Sequence, residues 1–400
     1  TGDDGQSPYH RTEQGVEVYR VKKYSPPTMD FLDSVFQLNL NMAEEIIHLR
    51  EQGLDFDLIH AHDWLVAYAG KVIKHAYHRP LVATIHATEY GRNQGLHNDL
   101  QRYISSVEWW LGYEAWRVIC CSHYMFDEVS RVFQLPRDKV SIVPNGVTTE
   151  EFQPTAEDLG AFRNNYAAPK EKIIYFIGRL VNEKGVGVLM EAAPKVFARY
   201  PDCKFVISGK GPAGDYLQRR ARELGIAHRF YFTGFVDDAT RNNLYRVADI
   251  AVFPSLYEPF GIVALEAMAA GVPVVVSDVG GFGEIVDHGR NGLKAYPGNP
   301  DSLADNLTAL LLAPGLAKKL QERAFQEVQD KYSWDRIARQ TADIYGRVLD
   351  EYQRTPWEGM LTPEEMEEKA LVARITSFLN RQGSRYQATG KSLWELVPKG

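Results

Sequence analysis

Two short stretches put charged side chains where they could handle an anion and a polyol together. In GRLVNEKG (178–185), Arg179 and Lys184 leave a loop and a helix start, so both cations can converge on one negative group. In EPFGIVALEAMAAGVPVVVSD (258–278), Glu258 stands ahead of a helical segment that the pattern starts near Phe260 or Gly261, and Glu266 lies inside it. The first N–H groups of a helix have no partner within it and point outward, so they hold phosphate well. A glycine at that point, Gly261, lets the backbone approach closely. Carboxylates do not usefully bind phosphate, but they accept hydroxyl groups. The two stretches together suit a ligand with phosphates at its centre and a sugar at each acid. The plainer alternative is a solvated loop and a helix whose N-terminal charge suits its dipole.

Both stretches follow apolar runs that read as strands, KIIYFIG (172–178) and DIAVFPS (249–255), so they lie at the carboxyl ends where open α/β sheets bind ligands. Further strands are expected at KFVISG (204–209), RFYFTGF (229–235) and VPVVVSD (272–278). Earlier in the chain they are expected at GVEVYRV (15–21), FDLIHAH (56–62), PLVATIHA (80–87), RVICCS (117–122) and KVSIVPNG (139–146). Helical stretches fall between them, at 30–52, 64–78 and 97–116 in the first half. Near-continuous apolar strands alternating with helices indicate parallel sheets buried on both faces. The expected class is α/β, with two parallel-sheet domains. Turn residues in PNGVTTEEFQP (144–154) mark the boundary. The expected organisation is a first domain over 1–147, a second over 148–331, an amphipathic helix over 332–353 and a helical, loosely ordered tail over 354–400.

The chain has 400 residues, enough for two domains of ordinary size. A net charge of −7 argues against bulk attraction to nucleic acid or an anionic membrane. No apolar run approaches the roughly 20 residues of a membrane span. Three cysteines, two of them adjacent at Cys120 and Cys121, form no disulfide framework and suit a reducing cytoplasm. Those two lie in an apolar run and are expected to be buried and inert.

GRLVNEKG with EPFGIVALEAMAAGVPVV closely resembles the retaining glycosyltransferases of family 4, which have the GT-B fold of two Rossmann-like domains facing across a cleft. HAHDW (60–64), VATIHATEYGR (82–92), VICCS (118–122), VPNGV (143–147), SGKGP (208–212) and GGFGEIV (280–286) support the match, over residues 15–350. HDW, IHATEYGR and EAWRVICCS look most like glycogen-synthase-type members. The resemblance implies a nucleoside-diphosphate sugar as substrate, ADP- or UDP-glucose being favoured, with no bound cofactor and no catalytic metal. It implies that Arg179 and Lys184 bind the diphosphate and that backbone groups at Phe260, Gly261, Ile262 and Val263 meet phosphate and sugar hydroxyls. Gly209 joins this donor site as a tight turn. Glu266 holds the ribose, while Glu258 binds the transferred sugar from one side and His86 from the other. His62, Asp63, Glu89 and Arg92 fall to the acceptor or inter-domain pocket. The implied function is transfer of a hexose to a glucan or other glycan. The alternatives are transfer to a lipid or cell-wall precursor, or nucleotide-sugar binding without turnover. Partners are the donor and a glycan acceptor, with no nucleic acid; oligomeric state is left open.

The resemblance has gaps. Family members begin with a strand and a glycine-rich loop that nothing before GVEVYRV supplies, and Phe-Gly stands in GGFGEIV where Pro is usual before the Glu. Other readings fit less well. GKGPAG (209–214) matches a dinucleotide-binding G-x-G-x-x-G, but in the second strand–helix unit and with no acid ending the next strand. HAHD (60–63) has the wrong spacing for a metallohydrolase, and HAYH (75–78) reads as surface histidines. The three tryptophans of SVEWWLGYEAW (106–116) are expected to pack in the core, with a platform for stacking on a sugar ring as the alternative.

Overall fold

The computed structural model describes residues 2, 9–22, 30–152 and 159–355. The expected tail lies, from 356 on, outside them. The described elements begin with β1 (His10–Glu13) and β2 (Val16–Tyr19), which pair antiparallel as a separate ribbon. This corrects the expectation that GVEVYRV belongs with the parallel strands. Gln14 and Gly15, both at positive φ, reverse the chain between two four-residue strands, a local hairpin geometry.

A four-stranded parallel sheet follows, in the order β3 (Ile59–His62), β4 (Leu81–Ile85), β5 (Arg117–Cys120), β6 (Val140–Ile142). Its helices are α1 (Phe31–Glu51), α2 (Ala67–Tyr77), α3 (Glu89–Asn93), α4 (Asp99–Glu114) and α5 (His123–Val132). Thr88, Asn98 and Ser122 cap the last three with side-chain oxygens, each satisfying an otherwise unpaired N–H. The helix over 97–116 turns its tryptophans differently from the expectation. Trp109 is exposed and stacks on Tyr113, while Trp110 and Trp116 are half-buried. His75 is buried against Glu114 at 3.1 Å rather than lying at the surface.

The second half contains α6 (Leu159–Asn164), β7 (Lys172–Ile177), α7 (Val186–Arg199), β8 (Cys203–Ser208), α8 (Gly214–Glu223), β9 (Phe230–Gly234), α9 (Asp238–Val247) and β10 (Ile250–Phe253). It continues with α10 (Ile262–Ala269), β11 (Val274–Ser277), α11 (Gly280–Ile285), β12 (Leu293–Ala295), α12 (Pro300–Leu312) and α13 (Pro314–Lys331). The six strands are all parallel, in the order β12-β11-β10-β7-β8-β9. Every residue of β10 and β11 is buried, as two-sided coverage by helices demands. β12 carries no expected strand of its own; it is three residues long.

The last helix among the described residues, α14 (Trp334–Arg354), returns to the first half. Its apolar stripe, Ile337, Ile344 and Val348, packs on Val82, Ile119 and Val143 of the four-stranded side. Tyr345, Glu351 and Tyr352 then bond to His60, Trp116 and the His78 carbonyl. No helix among the described residues is long and apolar enough to cross a membrane.

Candidate active site

Strand order reverses between β7 and β10, which are neighbours in the sheet. Such a switch point leaves a crevice outside the carboxyl ends of the two strands. The loop after β7 brings Lys184 there, and the loop after β10 brings Glu258. Their side chains meet at 2.7 Å, Lys184 Nζ to Glu258 Oε2. Ser255 Oγ donates to the same oxygen at 3.1 Å. Glu258 is buried, and among the described residues no hydrogen bond reaches its Oε1. Arg179 takes a separate carboxylate, Glu183, at 3.1 Å and stays exposed.

The backbone around this pair is unusually close. Gly185 has φ +66°, and a Cβ there would lie 1.8 Å from the Pro254 carbonyl oxygen. At Gly209, φ is +133° and a Cβ would lie 1.9 Å from the Gly178 oxygen. At Gly261, φ is +107° and a Cβ would meet the Phe282 ring at 2.3 Å. Only glycine fits these positions without a shift. Phe282 is fully buried, so this ring is a core side chain that backs the turn at Gly261. Gly261 is the N-cap of α10 and no side chain caps that end, which leaves the N–H groups at Ile262 and Val263 for a ligand. Phe260 is buried, and Ile262 is exposed.

Glu266 lies further along α10. Tyr245 donates to its Oε2 at 3.0 Å, and Arg241 stands 3.7 Å from its Oε1. Burial pushes its carboxyl above the usual range, against the pull of Arg241 and Tyr245.

The facing loops of the four-stranded sheet hold the other expected residues. Asp63, at φ +61°, accepts the His86 N–H at 2.9 Å. The rings of His62 and His86 share a hydrogen bond of 3.0 Å. Burial and the neighbouring His86 hold His62 below its ordinary pKa. His60 stacks on His62 and is pushed down to about 3, mainly by burial. Glu89 and Arg92 sit on α3, 4.0 Å apart. The Glu89 N–H is held by both oxygens of Glu108, at 2.9 and 3.0 Å. Burial pushes Glu108 up to about 8. Cys120 and Cys121 are buried, and desolvation raises both thiols, Cys121 to about 12.

Four residues to which the sequence assigns no role, Ser122, Glu128, Tyr257 and Glu284, join the two halves. Ser122 donates to the Pro259 carbonyl at 2.6 Å. Glu284 of α11 accepts the first two N–H groups of α5, from His123 at 2.9 Å and Tyr124 at 2.7 Å. Tyr257 donates to Glu128 at 3.0 Å. Their partners lie more than 100 residues away along the chain, so no local spacing announces them.

Two facing parallel sheets with charged loops at a switch point define a class, and the sequence matches it. Residues 161–327 match the family Glycosyl transferases group 1, and residues 1–151 match Glycosyltransferase Family 4. The chain belongs to the family 4 glycosyltransferases, with the GT-B fold. An uncharacterized glycosyltransferase of Methanocaldococcus jannaschii is 41% identical over 347 residues, 86% of this chain and 87% of that protein. The glycogen synthase of Mycobacterium tuberculosis is 36% identical over 341 residues, 83% of this chain and 80% of its own length. Among solved structures, sucrose-phosphate synthase from Thermosynechococcus elongatus superposes with a TM-score of 0.75 at 25% identity, covering 88% of each chain.

Proposed function

We propose that this glycosyltransferase moves a hexose, glucose in the favoured case, from a nucleoside-diphosphate sugar to a glucan or other glycan with retention of anomeric configuration. The observation that carries the reading is the Lys184–Glu258 pair at the crevice between β7 and β10. An ammonium group has three donors. Glu258 takes one, and the others can reach the phosphate oxygens of a leaving diphosphate. Oε1 of Glu258 is then placed to accept a hydroxyl of the transferred sugar.

Charge dictates the mechanism. The diphosphate gains negative charge as the glycosidic bond stretches. Lys184, Arg179 and the N–H groups of Gly261, Ile262 and Val263 stabilise that charge most in the transition state, where it accelerates the step. Glu258 offsets the positive charge that grows at the anomeric carbon. His86 meets the sugar from the facing loop, and Glu266 takes the ribose. The acceptor attacks from the face the diphosphate leaves, and the departing phosphate oxygen takes the acceptor proton. No side-chain nucleophile is needed. The similarity to a glycogen synthase favours a glucan acceptor.

The test is release of nucleoside diphosphate from uridine-, adenosine- and guanosine-diphosphate sugars, with and without a malto-oligosaccharide. Release that needs both one glucose donor and the oligosaccharide supports the reading and names the base. Donor-dependent release indifferent to the oligosaccharide moves the acceptor to a lipid or cell-wall precursor. Tight nucleotide binding with no release under any condition leaves a binding protein and overturns the reading.

A further inference from the structure

Besides α14, the contacts that join the halves gather on α5, and one of its side chains touches both candidate catalytic loops. Glu128 is 3% exposed. Its Oε1 accepts a hydrogen bond from Thr88 Oγ1 at 2.5 Å and another from the Tyr257 hydroxyl at 3.0 Å. Thr88 lies two residues after His86, and Tyr257 lies immediately before Glu258. The two donors therefore come from opposite sides of the reacting sugar. A third hydroxyl, of Tyr124 on α5 itself, also faces this carboxylate.

Tyr257 is embedded in the first half. It is 6% exposed, and a Cβ on Gly91 would lie 2.4 Å from its hydroxyl oxygen. That oxygen also stands 3.5 Å from the Thr88 N–H. Among the described residues no lysine or arginine forms an ion pair with Glu128. A buried carboxylate without a cation is costly unless hydrogen bonds compensate it. Here the two hydrogen bonds that offset the cost form together only when the loop carrying His86 and the loop carrying Glu258 are both in place.

We propose that Glu128 is a positioning residue, whose carboxylate sets the His86 loop in register with the Glu258 loop. The inference rests on the reading that these two residues flank the transferred sugar. Separation of the loops leaves the donor crevice of the second half intact but removes the facing wall. Nucleotide affinity is then retained while turnover is lost, since small misplacements of reacting groups slow a reaction strongly.

The test compares Glu128→Leu, which removes the acceptor at similar size, with Glu128→Gln, whose single amide oxygen can take both bonds. Glu128→Leu is expected to lower kcat by roughly 10- to 100-fold while the calorimetric Kd for the nucleoside diphosphate stays at the wild-type value. Glu128→Gln is expected to recover most of that kcat. Thr88→Val and Tyr257→Phe should each lower kcat less, and neither should add to Glu128→Leu, because the three act as one unit. Wild-type kcat in Glu128→Leu overturns the proposal, as does a parallel loss of nucleotide affinity. If Glu128→Leu fails to fold, Tyr257→Phe carries the test, and unchanged kcat there overturns it. Spin-label distances across the two halves give a readout without turnover. Broadening in Glu128→Leu but not in Glu128→Gln supports the proposal, and identical distributions overturn it. A wild-type chain inactive with every donor would sink the proposed function alone, and the distances would still decide the role of Glu128.

Discussion

Around the six-stranded sheet, neighbouring loops touch backbone to backbone. The Glu183 carbonyl accepts from Leu256 N–H at 2.8 Å, the Glu258 carbonyl from Gly281 N–H at 2.9 Å, and the Lys210 carbonyl from Leu180 N–H at 3.0 Å. Glycines make these approaches possible. Around the four-stranded sheet, acidic side chains span the gaps instead: Asp63 to the His86 N–H, Glu108 to the Glu89 N–H, Glu128 to Thr88. A backbone-built rim has one shape and few ways to vary. A rim braced by side chains can be altered one residue at a time. The first suits a ligand portion common to many reactions, and the second suits a portion that differs between them.

Substitutions on each rim put this contrast at risk. The largest effect is expected for Lys184→Ala, which removes the cation proposed to face the leaving group. Turnover should fall by about 10²-fold or more with the fold unchanged by circular dichroism. Wild-type turnover would remove Lys184 from the phosphate site. Next comes Gly209→Ala, which combines positive φ with a carbonyl in the way of the new carbon. It should destabilise the protein by about 2–4 kcal/mol and weaken nucleotide binding, both measurable by urea unfolding with and without nucleotide. A stable, tightly binding Gly209→Ala would show that the rim tolerates change after all.

Asp63→Ala should do less. It removes one charge-assisted hydrogen bond beneath His86 and should slow transfer about tenfold while leaving nucleotide affinity alone. Equal losses in both would erase the distinction between the rims. The remaining effect concerns pH and reads out on stability alone. Glu108 rises to about 8 in the folded state, so the folded protein keeps a proton that the unfolded chain releases above its ordinary carboxyl range. Stability should therefore fall as pH rises from about 4.5 to about 8. Glu108→Gln keeps an acceptor for the Glu89 N–H and removes the titration. Unfolding curves across that range should lose part of their pH slope, and an unchanged slope would clear Glu108 of the effect.

The second half was the more legible in sequence because its rules are local. Apolar runs such as IIYF and VVV mark strands, and GRLVNEKG and EPFG follow them directly. The structure brings Lys184 to Glu258, and Arg179 on the same loop bonds to Glu183. In the first half, His62, Asp63 and His86 were visible and do meet. Their supports were not. Glu108 and Glu128 sit on amphipathic helices, where an acid normally reads as solvated surface, and only the fold shows each of them buried. The hairpin is hidden for a related reason: alternation in GVEVYRV shows a strand but not its neighbour. Trp109 failed differently, since helical spacing fixes which residues share a face and not whether anything covers it.

The return of α14 bears on how the molecule is made. Val82, Ile119 and Val143 wait for Ile337, Ile344 and Val348, which the ribosome adds only after the entire six-stranded sheet has been synthesised. During translation the earlier half emerges first yet finishes last. A truncation before Trp334 would leave Val82, Ile119 and Val143 without their cover and so expose an apolar sheet face to aggregation.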